Sequence, residues 1–147
     1  MKLPLTGTSR PPRYGAAVID NTLAMFAALA TGGVVGDQFR VLISKDLAGP
    51  LGLTLLPFVF LSYFFLFEWL FNATPGKMFV GLTVRQLDGS RCGVKAAFFR
   101  TATRLIELNP FVLGCIPAAI IIWRSEQNQR WGDMLANTVV VLRSSVK

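Results

Sequence analysis

Two long apolar runs dictate what this chain can become. Residues 14–35 read YGAAVIDNTLAMFAALATGGVV and residues 51–71 read LGLTLLPFVFLSYFFLFEWLF, each with one acidic side chain, Asp20 in the first and Glu68 in the second. Each run is about as long as a helix must be to cross ~30 Å of hydrocarbon at about 1.5 Å per residue. Inside a bilayer a helix satisfies every backbone N–H and C=O without water, so two transmembrane helices are the expectation. Residues 36–50, with Asp37, Arg40, Lys45 and Asp46, read as a short polar connection. The spans then form an antiparallel hairpin, with Pro57 as a tolerated kink and Trp69 at a membrane boundary.

Composition narrows the function classes. With 147 residues there is room for one domain, and 52% hydrophobic against 16% charged residues is too apolar for an ordinary soluble one. The net charge of +7 would suit a nucleic-acid binder only on a water-soluble body, so no nucleic-acid partner is expected. There is no histidine and no CxxC, and Cys92 and Cys115 stand far apart. Neither a disulfide framework nor a zinc site follows, and no cofactor is expected. The first twelve residues hold three prolines and no apolar stretch of signal-peptide type, so they read as retained. Without a Gly-x-Ser-x-Gly elbow or a glycine-rich phosphate loop, the chain reads as no enzyme.

A third apolar stretch, residues 110–123 (PFVLGCIPAAIIIW), is too short for an ordinary span. It follows an amphipathic helix, residues 94–108, whose Arg100, Arg104 and Glu107 fall on one stripe. Asn109-Pro110 breaks or kinks the join. Two arrangements stay open, a continuous kinked third span or two half-helices that enter and leave on one side. Positive residues before the first span (Lys2, Arg10, Arg13) and from Lys77 to Arg104 outnumber Arg40 and Lys45 between the spans, which puts the N-terminus and the central segment in the cytoplasm. Arg124, Arg130, Arg143 and Lys147 in the tail favour the re-entrant arrangement, because a third crossing would carry them outside. The β-branched stretches 80–87 and 138–142 are expected to pair as a small cytoplasmic sheet, since each covers an edge the other would leave open.

The buried charges are the candidate site. Asp20 lies about 10 Å deeper than Arg13 on the same helical face, where a carboxylate costs on the order of 2.5–3.5 kcal/mol and needs a partner. The depth argument names Arg104 first and Arg100 second. Glu68 near the boundary can reach water or Lys77. Lys77 and Arg85, with Arg91 and Lys95, are the candidates for lipid-headgroup contact, against a simpler reading as a solvated positive loop. Asp133 reads as the start or cap of a short helix.

Arg13 followed seven residues later by Asp20, then Thr74-Pro75-Gly76-Lys77, Gly81-Leu82-Thr83-Val84, Asp88-Gly89, and Arg130-Trp131-Gly132-Asp133 leading into Ala136-Asn137-Thr138-Val139-Val140-Val141, resemble the RDD family of membrane proteins. The likeness rests on order and spacing and runs from Arg13 to Val141. It implies that Arg13, Asp20 and, most naturally, Asp133 are the arginine and two aspartates of the family name. Some members carry an acid before a proline in the last helix, and Glu107 holds that place here, so the second aspartate stays open. The resemblance also implies a membrane-embedded protein, with transport proposed and no substrate named. The chain then reads as an ion- or solute-transport component of the cell membrane, homo-oligomeric because two spans enclose little alone, with Gly32, Gly33 and Gly36 for close helix approach. The alternative is an accessory or scaffold subunit that packs against a larger membrane partner.

Overall fold

The computed structural model describes residues 7–8, 10–42, 45–107, 116–125 and 128–146. Helices α1 (Arg10–Leu42) and α2 (Lys45–Phe71) pack along each other, and each contains a stretch long and apolar enough to cross a bilayer, Pro12–Gln38 and Leu53–Phe71. The expected polar connection at 36–50 is corrected. Both helices run on through it, because a span that leaves the hydrocarbon loses its lipid and not its backbone hydrogen bonds. Ala16, Ala24 and Ala28 are buried on α1, while Val18, Phe26, Leu29, Leu53, Phe58 and Leu70 stay exposed. Apolar surface of that extent on both helices needs lipid and not water as its solvent.

After α2 come the short helix α3 (Pro75–Phe79), strand β1 (Leu82–Gln86), α4 (Val94–Glu107), α5 (Ile116–Arg124), the short helix α6 (Trp131–Leu135), strand β2 (Thr138–Leu142) and a 3-10 turn (Arg143–Ser145). The expected pairing of the two β-branched stretches is present. β1 and β2 run antiparallel with Val84 opposite Val140. Their pairing also decides the path of α4 and α5. A single crossing between the strands would put β1 and β2 on opposite faces of a bilayer, so their pairing favours the re-entrant arrangement. The described parts of α4 and α5, 14 and 9 residues, amount to about 21 Å and about 14 Å of helix. The Asn109-Pro110 junction and the expected start of the short apolar helix at 110 lie outside the described residues, and α5 is described from Ile116.

α4 is amphipathic in the reverse of the soluble sense. Arg100, Thr101, Thr103 and Arg104 are buried against the rest of the protein, while Phe98 (59%), Phe99 (49%), Leu105 (55%) and Ile106 (57%) are exposed. A helix with its charges inward and its phenylalanines outward fits a hydrocarbon surround.

The two ends of the sheet repeat one another. The interval from Asn72 to Asn128 is also that from Gly76 to Gly132, Met78 to Met134 and Val84 to Val140. Asn72 and Asn128 both adopt left-handed backbone (φ 56° and 54°), as do Gly81 and Asn137 at the matching ends of α3 and α6 (φ 73° and 49°). Reciprocal hydrogen bonds close the sheet, Arg143 N–H to Gly81 C=O at 2.8 Å and Leu87 N–H to Asn137 C=O at 3.0 Å. A local two-fold relation therefore passes between Val84 and Val140. It extends outward, since α3 packs on α1 as α6 packs on α4. It also exchanges the asparagines: Cys92 N–H donates to Asn72 Oδ1 just before α4, and Asn128 Nδ2 donates to Thr8 C=O just before α1.

Candidate functional site: a buried charge layer

Two tight helix contacts seat the site. A Cβ on Gly76 would stand 2.5 Å from the Ala16 carbonyl oxygen and 2.8 Å from the Asp20 carboxylate, so α3 approaches α1 only where the side chain is a hydrogen. At Gly132 a Cβ would collide with Thr103 Oγ1 and lie 3.1 Å from Arg100 Cα, which sets α6 equally close to α4. Each glycine is followed by a charged residue turned inward, Lys77 and Asp133.

From these seats a chain of ion pairs crosses the interior. Asp133 is fully buried. Its Oδ2 accepts from Arg13 Nη2 at 2.7 Å and from Arg130 N–H at 3.2 Å, and its Oδ1 accepts from Arg100 Nη1. The bond from Arg130 N–H caps the first turn of α6. Arg100 bridges to the second carboxylate, donating from Nε to Glu68 Oε2 at 2.7 Å, and its Nη1 also donates to Thr138 Oγ1 at 2.7 Å. Glu68 Oε1 pairs with Lys77 Nζ and lies 3.5 Å from Arg104 Nη2. Arg104 stacks over the Phe64 ring at 3.6 Å from its centroid. Buried carboxylates are tolerable on these terms, because each oxygen of Glu68 and Asp133 is met by a donor.

Asp20 is the exception, and it corrects the expected partnership with Arg104 or Arg100. Its carboxylate accepts from Thr74 Oγ1 on Oδ2, from Gly76 N–H at 2.7 Å on Oδ1, and from Tyr63 Oη at 3.4 Å. These are neutral donors, and no arginine among the described residues lies within ion-pair distance of Asp20. Depth does not decide here, because Arg100 and Arg104 turn to Glu68 on α2, while the start of α3 offers Asp20 an N–H and a hydroxyl. Asp20 lines a cavity of about 60 Å³ together with Arg13, Tyr14, Lys77, Arg104 and Arg130. Lys77, a candidate for headgroup contact, is turned inward to Glu68 instead. Glu68 is wholly buried and does not reach water. The side chain of Glu107 lies outside those described.

Burial and neighbours shift the groups outside the spans in opposite ways. Burial pushes the Asp133 carboxyl up, but Arg100, Arg130 and Arg13 outweigh it and hold it well below the usual carboxylate range. Burial pulls the Lys77 ammonium down, Glu68 opposes it, and Arg100 and Arg104 add to the lowering, leaving it at about 8. An unfolded lysine keeps its proton to about 10.5, so between pH 8 and 10.5 the unfolded chain binds more protons and folding stability rises with pH. In detergent the wild-type thermal stability should therefore gain on that of Lys77→Met across this window, by up to about 3 kcal/mol. A difference that is flat or falls with pH would refute the assignment.

Of the residues marked out in the sequence, Arg13, Asp133, Arg100, Glu68, Lys77 and Arg104 come together, Asp20 adjoins them across the cavity, and Arg85 stands apart on β1. Missed were Arg100 as the hub, the donors Thr74 and Gly76, and the paired asparagines, whose signal was the repeated interval. Among the described residues no group of three or more His, Cys, Asp or Glu could hold a metal. No curated protein and no solved structure gave a match. The RDD family model matches residues 8–137, from the lead-in of α1 to the end of the α6 turn, and so takes in Arg13, Asp20 and Asp133. This chain is a member of the RDD family.

Proposed function

We propose that the protein is a transport component of the cell membrane in which Asp20 takes up and releases a proton. One observation carries the reading: Asp20, buried within the first span, is bonded by neutral donors, whereas Glu68 and Asp133 are locked to arginines. Protonating Glu68 or Asp133 would strip guanidinium groups of their counter-charge. Protonating Asp20 strips none. The N–H of Gly76 cannot reverse, but the Thr74 hydroxyl can turn from donor to acceptor, so the proton belongs on Oδ2. The cations around the cavity disfavour a metal ion beside Asp20, and the space suffices for a few waters. Release of Asp20 loosens the start of α3, and through Lys77 that motion reaches Glu68 on α2.

Positive residues in the lead-in to α1 and from Lys77 to Arg104 support a cytoplasmic sheet and N-terminus. Gly33 and Gly36 have no neighbouring atom within 4 Å of an added Cβ, which supports a homo-oligomer or a larger membrane partner that completes the pathway. The activity is non-catalytic.

Purified protein in liposomes with an entrapped pH indicator tests the proposal, with cysteine labelling at position 91 and near Lys45 reporting sidedness. Asp20→Asn is nearly isosteric, keeps an acceptor for Gly76 N–H and strands no cation, so it should fold and lose proton-coupled flux, while Asp20→Glu keeps part. Equal flux in wild type and Asp20→Asn, or none in either, overturns the reading. An inert wild type that co-purifies with a membrane partner would favour the accessory-subunit alternative.

A further inference from the structure

A second concave feature lies away from the charge layer, on the sheet. A cleft of about 470 Å³ opens beside the last residues of α2, Leu70 and Phe71, with Met78 of α3 on its rim, and Arg85, Arg91 and Arg143 converge on it. The fold brings these arginines together from three segments. Arg85 is on β1, Arg91 faces it across an isolated antiparallel bridge, and Arg143 follows β2 with its N–H bonded to Gly81 C=O at the start of β1. No carboxylate among the described residues lines the cleft. None of the three guanidinium groups makes an ion pair among the described residues, in contrast to Arg13, Arg100 and Arg104. Arg85 Nε is buried and lacks a hydrogen-bond acceptor.

Like charges repel, and a buried N–H without an acceptor is costly, so a folded chain gathers three unpaired arginines around one cleft at the expense of stability. An anion with several oxygens reverses both terms, since phosphate accepts from several guanidinium donors at once. The position selects the source. Leu70 and Phe71 are the last residues of the α2 span, both more than half exposed, and a ligand held by the arginines has its apolar part level with them. We propose that this cleft binds the phosphate headgroup of an anionic phospholipid at the membrane boundary, through Arg85, Arg91 and Arg143. The site does not depend on the transport reading, because none of its arginines touches Asp20 or the ion-pair chain.

The full-length protein in neutral detergent is titrated with dioctanoyl phosphatidylglycerol, and an apparent affinity is taken from the rise in thermal midpoint. Phosphatidylglycerol should raise the midpoint in a saturable way, and dioctanoyl phosphatidylcholine and inorganic phosphate should raise it far less. Each arginine neutralised should weaken binding about fivefold, and the triple variant R85Q/R91Q/R143Q roughly a hundredfold. Arg91 is exposed, so Arg91→Glu tests the site without threatening the fold, and Arg124→Gln, an exposed arginine outside the cleft, should leave affinity unchanged. Inorganic phosphate as effective as the lipid overturns the lipid assignment. Phosphatidylcholine as effective as phosphatidylglycerol, or Arg91→Glu binding as tightly as wild type, overturns the site.

Discussion

Arg100→Gln should leave almost no folded protein in the membrane. Arg100 is wholly buried and is, among the described residues, the one side chain that joins both locked carboxylates, Glu68 through Nε and Asp133 through Nη1. Breaking a buried pair by removing one partner costs about 3–5 kcal/mol, because the other charge is left without compensation. Here two carboxylates lose a partner, which approaches the ~5–15 kcal/mol that holds a typical domain together. Arg100→Lys should rescue only in part, since one ammonium cannot span two carboxylates in the way a planar guanidinium does. The double variant Arg100→Gln with Asp133→Asn should be harmed less than the sum of the two single losses, because the second change removes a charge that the first exposed. The measurement is the fraction extracted as a monodisperse species, with its thermal midpoint. An Arg100→Gln protein as stable as wild type would mean that the layer contributes nothing to folding.

The second large effect is expected at the two glycine seats, and it should differ between them. At Gly76 the atom nearest an added Cβ is backbone, the Ala16 carbonyl oxygen at 2.5 Å, with the Asp20 carboxylate at 2.8 Å. Neither can move without shifting α1 or breaking the Asp20 bond to Gly76 N–H. Overpacking of a closed contact costs typically about 1–3 kcal/mol, and Gly76→Ala should exceed that range because a buried carboxylate also loses a donor. At Gly132 the first obstacle is a side-chain hydroxyl, Thr103 Oγ1, and Thr103→Ala removes it. Gly132→Ala should therefore be substantially restored by Thr103→Ala, while no side-chain truncation restores Gly76→Ala. Thermal midpoints of Gly76→Ala, Gly132→Ala, Thr103→Ala and the Gly132→Ala/Thr103→Ala double variant check this, and a double variant no more stable than Gly132→Ala would mean that the backbone of Arg100, not the Thr103 hydroxyl, sets the contact.

How much of this was legible in the sequence depended on how many solutions each pattern allows. Twenty apolar residues with one charge have a single stable solution, so the hairpin was plain. So was the sheet, because two β-branched stretches beside a membrane each need an edge covered. The stripe of Arg100 and Arg104 was plain as a stripe, but which way it faced was not, because an amphipathic pattern is the same in water and in lipid and only the surround reverses it. The partner of Asp20 was missed for a related reason. Its donors are a backbone N–H and a hydroxyl, which have no charge signature, and they reach it only because Gly76 lets α3 come close. The repeat of Asn72, Gly76, Met78 and Val84 at Asn128, Gly132, Met134 and Val140 was present in the letters. Its meaning rests on backbone conformation, the positive φ of Asn72 and Asn128 and of Gly81 and Asn137, which composition does not display.

The bridge from Arg100 to Asp133 also sets a schedule for synthesis. The two residues are 33 positions apart, which at about 5–20 residues per second means that Arg100 is made roughly two to seven seconds before its second carboxylate exists. During that interval α1 and α2 can already lie in the bilayer and Glu68 can hold Arg100. Arg13 has no Asp133, and β1 has no β2. A nascent chain interrupted before α6 thus carries an unmatched arginine and an open strand edge at the membrane surface, features by which cellular quality control can tell an unfinished copy from a finished one.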